Sequence, residues 1–421
     1  MHILEQFLTI VLRGLVFTFL AVILTACSGG NSSDSSSASS DGSASSSSSA
    51  GNDQNSLPSI NLAANSISVN VGAGTAENIN TPYVSVTICQ PGTNICKTVD
   101  NILLDTGSTG LRVLASAITS LRLNQVVVNN APILECASFI SGTAWGPVKL
   151  ADVKMSAEVA SSIPIQILAD PSYSAIPSSC GGSQYTQISN TLKTNGILGI
   201  SLFVNDNQSY FNCVPSTLNN CRISLSLTPN LQVQNPVATF PVDNNGVIIK
   251  LPAVDATGSN LVTGSLTFGI DTQTNNSSAG SYIIPTSSSG YFTTIFNNTT
   301  FINSFIDSGS NGLYFPSGNL SSVLVTCSSV FLAGFYCPAY TQFYLAALTL
   351  KNNVQGNVSF SAANAKALFA NGNYAYNNIT GQIGGNSFIW GLPFFFGRSV
   401  YIGITDRTSR AGIGPYYAYT N

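Results

Sequence analysis

The sequence predicts an all-β protein built from two similar lobes. Short runs of β-branched and other apolar residues alternate with clusters of Gly, Asn, Ser and Pro, as in many short strands joined by turns. Long amphipathic helical patterns are nearly absent, and residues 361–372 form the best helix candidate. A length of 421 residues favours two lobes or one large domain.

The composition limits the classes of partner. Charged residues make up 7% of the chain, against about 25% in a typical protein, so the surface must consist mainly of neutral polar side chains. The net charge is -3, and no Lys and Arg cluster offers a footprint for nucleic acid. We therefore expect no nucleic-acid partner, and we expect a monomer.

Histidine is nearly absent. The single histidine, His2, lies in a predicted export segment, so the mature chain would have none. This excludes Ser-His-Asp and Cys-His catalysis and the usual zinc and haem ligand sets. No two cysteines have CxxC spacing, which speaks against a cysteine metal site. We expect no metal and no cofactor, and chemistry carried by carboxylates, hydroxyls, lysines or backbone groups.

Residues 1–27 are predicted to be an export signal. An apolar run at 14–26 ends in Leu24-Thr25-Ala26-Cys27, which resembles a bacterial lipoprotein signal with its lipobox. The resemblance implies cleavage before Cys27 and acylation of its thiol. An uncleaved membrane helix is the alternative, but the run is shorter than the ~20 residues that span a bilayer. The residue after Cys27 is Ser28. By resemblance to enteric sorting rules, in which Asp at this position retains a lipoprotein in the inner membrane, Ser28 favours the outer membrane.

Residues 28–57 are predicted to be a flexible linker. Ser dominates this segment, with Gly, Ala, Asn and Asp, and such a composition cannot build a core. Its end-to-end reach is on the order of 30 Å. The linker would hold the folded part away from the surface of the cell-envelope membrane.

The remaining cysteines predict disulfides. Nine cysteines minus Cys27 leave eight, an even number in a protein expected to reach an oxidising compartment. Free buried thiols and other connectivities remain open. Pairing nearest neighbours gives Cys89 with Cys96, Cys136 with Cys180, Cys213 with Cys221, and Cys327 with Cys337.

An internal repeat carries the candidate chemistry. Residues 102–111 and 305–313 each read as an apolar run, then Asp, a small hydroxyl residue, Gly, Ser, a polar residue, Gly and Leu. Asp105 and Asp307 are 202 positions apart, 307 minus 105. Each copy is followed later by an apolar-apolar-Gly segment, at residues 197–199 and 389–391.

These residues resemble the pepsin-like aspartic peptidases over roughly residues 66–418. The resemblance implies an all-β, two-lobed acid-protease fold with a central cleft, in which each lobe supplies one Asp loop and the apolar-apolar-Gly strand threads beneath it. The stretches at 391–398 and 145–148 also resemble a bacterial lipoprotein family of unknown function. We predict an N-terminal lobe at 58–235 and a C-terminal lobe at 236–421.

The resemblance gives roles to the loop residues. Asp105 and Asp307 would share a proton and activate a water. Gly107 and Gly309 would let the backbone pass close behind the carboxylates and donate N–H groups, and Ser108 and Ser310 would bond the outer carboxylate oxygens. Thr106 and Ser308 would cross-link the two loops through bonds from hydroxyl to backbone groups.

The sequence departs from the family at the flap, the hairpin that covers the cleft. Phe139 stands where the family has a tyrosine, and Arg112 stands where its tryptophan partner is expected. Both partners of one hydrogen bond are missing, which suggests a rebuilt flap. Trp145 would either cap the cleft or pack in a strand. The second loop also reads Ser-Asn-Gly after Gly309, where the family often has a Thr-Ser pair.

Three functions remain open at this point. The first is an aspartic-type endopeptidase of the cell envelope that acts on polypeptides. The second is a catalytically silent lipoprotein of the same fold that binds a peptide or glycan in its cleft. The third is carbohydrate hydrolysis, in which the two carboxylates would be about 5 Å or more apart. The separation of the carboxyl groups therefore discriminates between the first and the third.

Overall fold

A computed structural model of the chain describes residues 62–74, 78–182, 187–191, 193–213, 221–223 and 227–421. The predicted signal segment, the lipidated Cys27 and the linker at 28–57 lie outside the described residues. Among the described residues, no helix has both the length and the apolar character needed to cross a bilayer.

Strands dominate the described part of the chain. The first half contains β1 (Ser66–Val71), β2 (Pro82–Cys89), β3 (Cys96–Asp105), β4 (Thr109–Leu114), β5 (Asn124–Gln125), β6 (Val127–Val128), β7 (Ala131–Phe139), β8 (Gly142–Met155), β9 (Glu158–Leu168), β10 (Gly196–Ile200), β11 (Ser209–Asn212) and β12 (Arg222–Ile223). The second half contains β13 (Gly246–Leu251), β14 (Val262–Phe268), β15 (Tyr282–Pro285), β16 (Phe292–Phe296), β17 (Thr299–Ile306), β18 (Leu313–Tyr314), β19 (Gln342–Thr349), β20 (Gln355–Ala362), β21 (Thr380–Gly381), β22 (Ile389–Trp390), β23 (Arg398–Gly403) and β24 (Tyr416–Thr420). The α-helices of the described part are α1 (Ile188–Thr191) and α2 (Ala365–Phe369), and single 3-10 turns occur in several connections.

The strands follow the period of two expected for sheets with one buried face. In β16, whose sequence is Phe-Thr-Thr-Ile-Phe, buried and half-buried residues alternate. In contrast, all five residues of β10 are buried, since this strand is covered on both faces. The predicted all-β class with two lobes is confirmed.

The strands form two sheets, one of 17 strands and one of seven, within the described residues. The seven-stranded sheet comprises β16 to β22, and the larger sheet contains the other strands. The larger sheet joins the two halves of the chain, because β1 pairs antiparallel with β14 and β13 pairs with β23. The predicted division at residue 235 remains a prediction, since this sheet contains strands from both sides of it.

All four predicted disulfides are present: Cys89–Cys96, Cys136–Cys180, Cys213–Cys221 and Cys327–Cys337. Three of them join cysteines 7, 8 and 10 positions apart, whereas Cys136–Cys180 links strand β7 to a 3-10 turn 44 positions later. Four disulfides are typical of a protein that folds in an oxidising compartment outside the cytosol.

The predicted helix at 361–372 is much shorter than expected. Residues up to Ala362 complete β20, where Ala362 pairs with Gln342 of β19. The helix α2 starts only after Asn364, whose side chain accepts a hydrogen bond from the Ala367 N–H at 3.2 Å. Strand pairing outweighs the helix propensity of the alanines before this cap.

Candidate active site

Each Asp loop lies beside a second strand that passes under it. In the first half, β10 runs parallel to β3, with Gly199 opposite Asp105, and antiparallel to β4. A Cβ on Gly199 would lie 2.7 Å from the Thr109 carbonyl carbon, so only glycine permits this approach.

The second half repeats this arrangement. Strand β22 pairs parallel with β17, which leads into Asp307, and antiparallel with β18. The Asp307 N–H donates to the Trp390 carbonyl at 3.0 Å. A Cβ on Gly391 would lie 2.1 Å from the Gly312 carbonyl oxygen. The sequence repeat therefore corresponds to a repeated ψ-shaped strand arrangement around each Asp.

The first carboxyl group is held by its own loop. Asp105 Oδ1 accepts from the Gly107 N–H at 2.8 Å, and Oδ2 accepts from Ser108 Oγ at 2.5 Å. A Cβ on Gly107 would lie 2.6 Å from Asp307 Oδ1, so the loop backbone passes directly behind the opposite carboxyl group. These contacts fix the orientation of the first carboxyl group.

The second carboxyl group has the same contacts. Asp307 Oδ1 accepts from the Gly309 N–H at 2.9 Å, and Oδ2 accepts from Ser310 Oγ at 2.6 Å. A Cβ on Gly309 would lie 2.7 Å from Asp105 Oδ1. The two loops therefore hold two equivalent carboxyl groups face to face.

Hydroxyl groups cross-link the loops in the manner that the resemblance implied. Thr106 Oγ1 donates to the Ile306 carbonyl at 3.1 Å and accepts from the Ser308 N–H at 2.9 Å. Ser308 Oγ donates to the Leu104 carbonyl at 2.7 Å and accepts from the Thr106 N–H at 3.1 Å. Thr106 and Ser308 are fully buried, so the four hydrogen bonds lock the relative position of the two Asp loops.

The Cβ position of Gly309 lies 2.7 Å from Asp105 Oδ1 and 3.2 Å from Asp307 Oδ1, so the two carboxyl groups face each other at close range. Burial, and then the charge of Asp105, raises the pKa of Asp307 to about 8. Asp307 is thus protonated over most of the physiological pH range. Asp105 and Asp307 remain 7% and 8% exposed, which leaves the pair open to a water molecule.

Tyr314 and Tyr417 lie close enough to the acid pair for its charge to affect their pKa values. The pKa of each is raised, first by burial and then by the charge of Asp307. The sequence repeat gives no indication of Tyr417, which lies 110 positions after Asp307 (417 minus 307). Both phenols therefore stay neutral, and they form part of the low-dielectric surroundings that keep Asp307 protonated.

The predicted flap corresponds to the hairpin of β7 and β8. Phe139 pairs with Gly142 at its end, and Ile140 at the tip is 83% exposed. The Arg112 guanidinium carbon lies 5.5 Å from the centroid of the Phe139 ring. The two residues that replace the family's Tyr and Trp therefore still meet, through a cation–π contact instead of a hydrogen bond.

Trp145 does not cap the cleft. Its side chain is 5% exposed, and the indole N–H donates to the Tyr173 carbonyl at 3.0 Å. The ring packs edge-on against Phe211 and lies in a buried cluster that includes the Cys136–Cys180 disulfide. The interpretation of Trp145 as a packed strand residue therefore holds.

Sequence reasoning missed a buried charge cluster behind the flap. Arg112 forms ion pairs with Glu135 at 2.5 Å and with Asp206 at 2.6 Å, and all three side chains are at most 2% exposed. The Gln166 side chain and the Thr109 carbonyl accept further hydrogen bonds from Arg112. Arg112 follows the first Asp loop on β4, and Glu135 lies on the flap strand β7, so the cluster ties these two elements together.

The protonation of this cluster follows from its burial. Burial, supported by the charge of Asp206, raises the pKa of Glu135 well above its usual range, although Arg112 opposes the shift. Burial therefore favours the protonated form of Glu135, and the contact with Arg112 favours its charged form. Tyr210 donates to the remaining Asp206 oxygen at 2.6 Å. The only earlier signal was the presence of Arg112 and Glu135 inside apolar strand sequences, where charged residues are rarely buried unpaired.

Metal binding finds no support in the side chains. Within the described ranges, no group of three or more His, Cys, Asp or Glu residues is placed to hold an ion.

A family model described as "Protein of unknown function (DUF3443)" matches residues 61–419. No curated protein matches the chain. Matching solved structures include an aspartic proteinase from Irpex lacteus, at 14% sequence identity and a TM-score of 0.48, covering 85% of this chain and 96% of that one.

Proposed function

The chain belongs to the DUF3443 family, and we propose that it is an aspartic-type endopeptidase of the cell envelope. The observation that carries this proposal is the facing carboxyl pair of Asp105 and Asp307, held by two cross-linked loops. Two carboxyl groups that share one proton are the pattern of aspartic proteases. The pair needs no histidine and no covalent nucleophile.

The proposed reaction uses one charged and one neutral carboxyl group. Asp105 as the carboxylate takes a proton from a bound water, whose oxygen attacks the carbonyl carbon of the peptide bond. Asp307, whose pKa is raised to about 8 by burial and by Asp105, donates its proton to the carbonyl oxygen. The tetrahedral intermediate collapses when Asp105 passes its proton to the leaving nitrogen and the oxygen returns its proton to Asp307. The C–N bond breaks, and the pair regains its starting state.

The proposed location is the bacterial cell envelope, with a lipid anchor at Cys27 and a preference for the outer membrane. The four disulfides support export to an oxidising compartment. The anchor itself rests on the lipobox-like residues 24–27.

A second candidate function is binding without cleavage. The flap supports it, because a cation–π contact between Arg112 and Phe139 replaces the expected Tyr–Trp hydrogen bond. In that case the cleft would hold a peptide or glycan strand. Carbohydrate hydrolysis has less support, because each loop glycine packs against the opposite carboxyl group, which holds the two acids close together.

The test uses residues 58–421 with disulfides intact, incubated with unfolded protein substrates from acid to neutral pH. We expect cleavage by this protein and its loss in Asp105→Asn and in Asp307→Asn. Asp271→Asn is the matched control, since Asp271 accepts a backbone N–H at 2.8 Å and a Ser Oγ at 2.6 Å from Ser278, much as the loop acids do, outside the site.

Binding of a pepstatin-type transition-state mimic provides a second readout. Cleavage that persists in both loop variants would contradict the assignment of the acid pair. Absence of cleavage by the unaltered protein, together with no thermal stabilisation by the mimic, would favour the binding function.

A further inference from the structure

A cavity of about 590 Å³ lies in the C-terminal half, outside the acid pair. Its walls come from the β19–β20 hairpin and from residues 390–398. Most lining side chains are apolar, and Phe343 and Leu345 are 82% and 56% exposed. The volume matches that of pockets for small organic ligands, about 300–1,000 Å³.

Three polar residues of the lining have unsatisfied atoms. Tyr344 Oη, Asn377 Oδ1 and Arg398 Nε are buried without a hydrogen-bond partner within the described part of the chain. Buried polar atoms normally find a partner, because leaving one unpaired costs about 1–3 kcal/mol. Three such atoms around one cavity are best explained by a ligand that pairs with them.

Arg398 supplies the charge of the cavity. Among the described residues that line it, Arg398 alone is charged. One guanidinium nitrogen donates to the Phe394 carbonyl at 2.9 Å, and the group lies 4.9 Å from the centroid of the Phe394 ring. No carboxylate of the described residues lies within ion-pair distance of it. A partly buried guanidinium without a carboxylate is suited to bind one from outside, with two parallel hydrogen bonds.

Asn377 supplies a hydrogen-bond acceptor, whereas Arg398 supplies donors. Its Nδ2 group donates to the Val254 carbonyl at 2.6 Å, and its Oδ1 is the atom that has no partner within the described part of the chain. The missing partner is therefore an N–H or O–H donor. Tyr344 Oη can either donate or accept.

We propose that this cavity is a binding site for the carboxyl terminus of a peptide whose last residue is apolar. The terminal carboxylate pairs with Arg398, and a peptide N–H donates to Asn377 Oδ1. The apolar side chain lies against Phe360 and the ring of Phe394, on the face of the hairpin that also carries Tyr344. A fatty acid offers the same carboxylate and apolar body but no N–H donor for Asn377, which favours the peptide.

The site is independent of the proposed peptidase activity, and its test is run in the Asp307→Asn background. Titration calorimetry on residues 58–421, a range that contains every described element and all four disulfides, measures binding of N-acetyl-Ala-Phe. The same dipeptide with a terminal amide, and decanoate, serve as the second and third ligands. We expect the acid to bind at least about tenfold more tightly than the amide and than decanoate.

Variants locate the site. Arg398→Gln should weaken binding of the acid about tenfold, whereas Arg407→Gln should leave it unchanged within about twofold. Arg407 is a matched control, since it is also half-buried and also donates to a backbone carbonyl, that of Ala238. Trp390 lies in the cavity wall. In a Trp145→Phe variant, which removes the other of the two tryptophans, binding of the ligand should therefore change the fluorescence of Trp390.

The outcomes that overturn the proposal are specific. Equal affinity for the acid and the amide, or unchanged binding in Arg398→Gln, would remove the carboxylate assignment. Tighter binding of decanoate than of the dipeptide would replace the peptide with a fatty acid. No binding of the acid up to about 10 mM, in a protein whose unfolding temperature is normal, would reject the site.

Discussion

Replacement of Arg112 by Met tests how the charge cluster behind the flap holds the N-terminal half together. Met keeps an unbranched apolar stem and removes the guanidinium, which pairs with Glu135 at 2.5 Å and Asp206 at 2.6 Å. Since all three side chains are at most 2% exposed, the variant would retain a buried Asp206 charge without its cation. Removing one partner of a buried ion pair costs about 3–5 kcal/mol.

The loss of stability should depend on pH. Without Arg112, the guanidinium no longer opposes the rise in the pKa of Glu135 that burial causes, so the folded state binds more protons than the unfolded one over a wider range above about pH 4. The stability of the variant therefore decreases as pH rises through this range. We expect a deficit of about 3–5 kcal/mol at pH 7 and a clearly smaller one at pH 5.

The assay is urea unfolding of residues 58–421 at both pH values, with disulfides intact. Arg407→Met is the control, since the Arg407 side chain donates to the Ala238 carbonyl and forms no ion pair in the described part of the chain. It should cost about 1 kcal/mol at either pH. A deficit below about 1 kcal/mol for Arg112→Met at pH 7, or one that is equal at both pH values, would refute the reasoning.

Three further predictions concern the acid pair. The pKa of Asp307, raised from 3.8 to about 8 by burial and by Asp105, means that folding takes up a proton between these values, so stability falls as pH rises across that window. Asp307→Asn should make the free energy of unfolding, measured with urea, depend less on pH, by on the order of 1.4 kcal/mol for each unit of pKa shift that is removed. A pH dependence as steep as that of the unaltered protein would contradict this. Ser308→Ala leaves the buried Thr106 N–H unpaired and should cost about 1–3 kcal/mol in thermal unfolding, whereas no loss would show that the cross-link is dispensable. Gly309→Ala places a Cβ 2.7 Å from Asp105 Oδ1 and should lower peptidase activity about a hundredfold. The transition-state mimic should still bind through its apolar groups with little loss of affinity. Unchanged activity would mean that the loop moves to accommodate the methyl group.

The sequence was informative where chemistry repeats or is local. The two Asp-containing segments predicted both loops and their hydrogen-bond partners, because each loop acid bonds a residue two or three positions ahead. The disulfides could also be predicted from the sequence, since the paired cysteines are neighbours along the chain and at most 44 residues apart.

Contacts between distant segments could not be predicted from the sequence. Arg112 meets Glu135 and Asp206 across 23 and 94 residues, and no local pattern records those meetings. The helix at 361–372 was overestimated for the same reason, because its first residues belong to a strand pair that only the fold creates. The unsatisfied atoms of the C-terminal cavity likewise come from three separate segments around Tyr344, Asn377 and Arg398.

Strand β1 has a consequence for the order of events during export. All six of its residues pair with β14, and Ser66 meets Thr267 across 201 positions (267 minus 66), whereas only two residues pair with the nearby β2. A chain that emerges amino end first therefore presents β1 long before its main partner exists. Such long-range pairing delays folding, since the intervening loop must close before the strand pair forms. The first strand would stay unpaired, and in need of protection from aggregation, until more than half of the polypeptide has crossed the membrane.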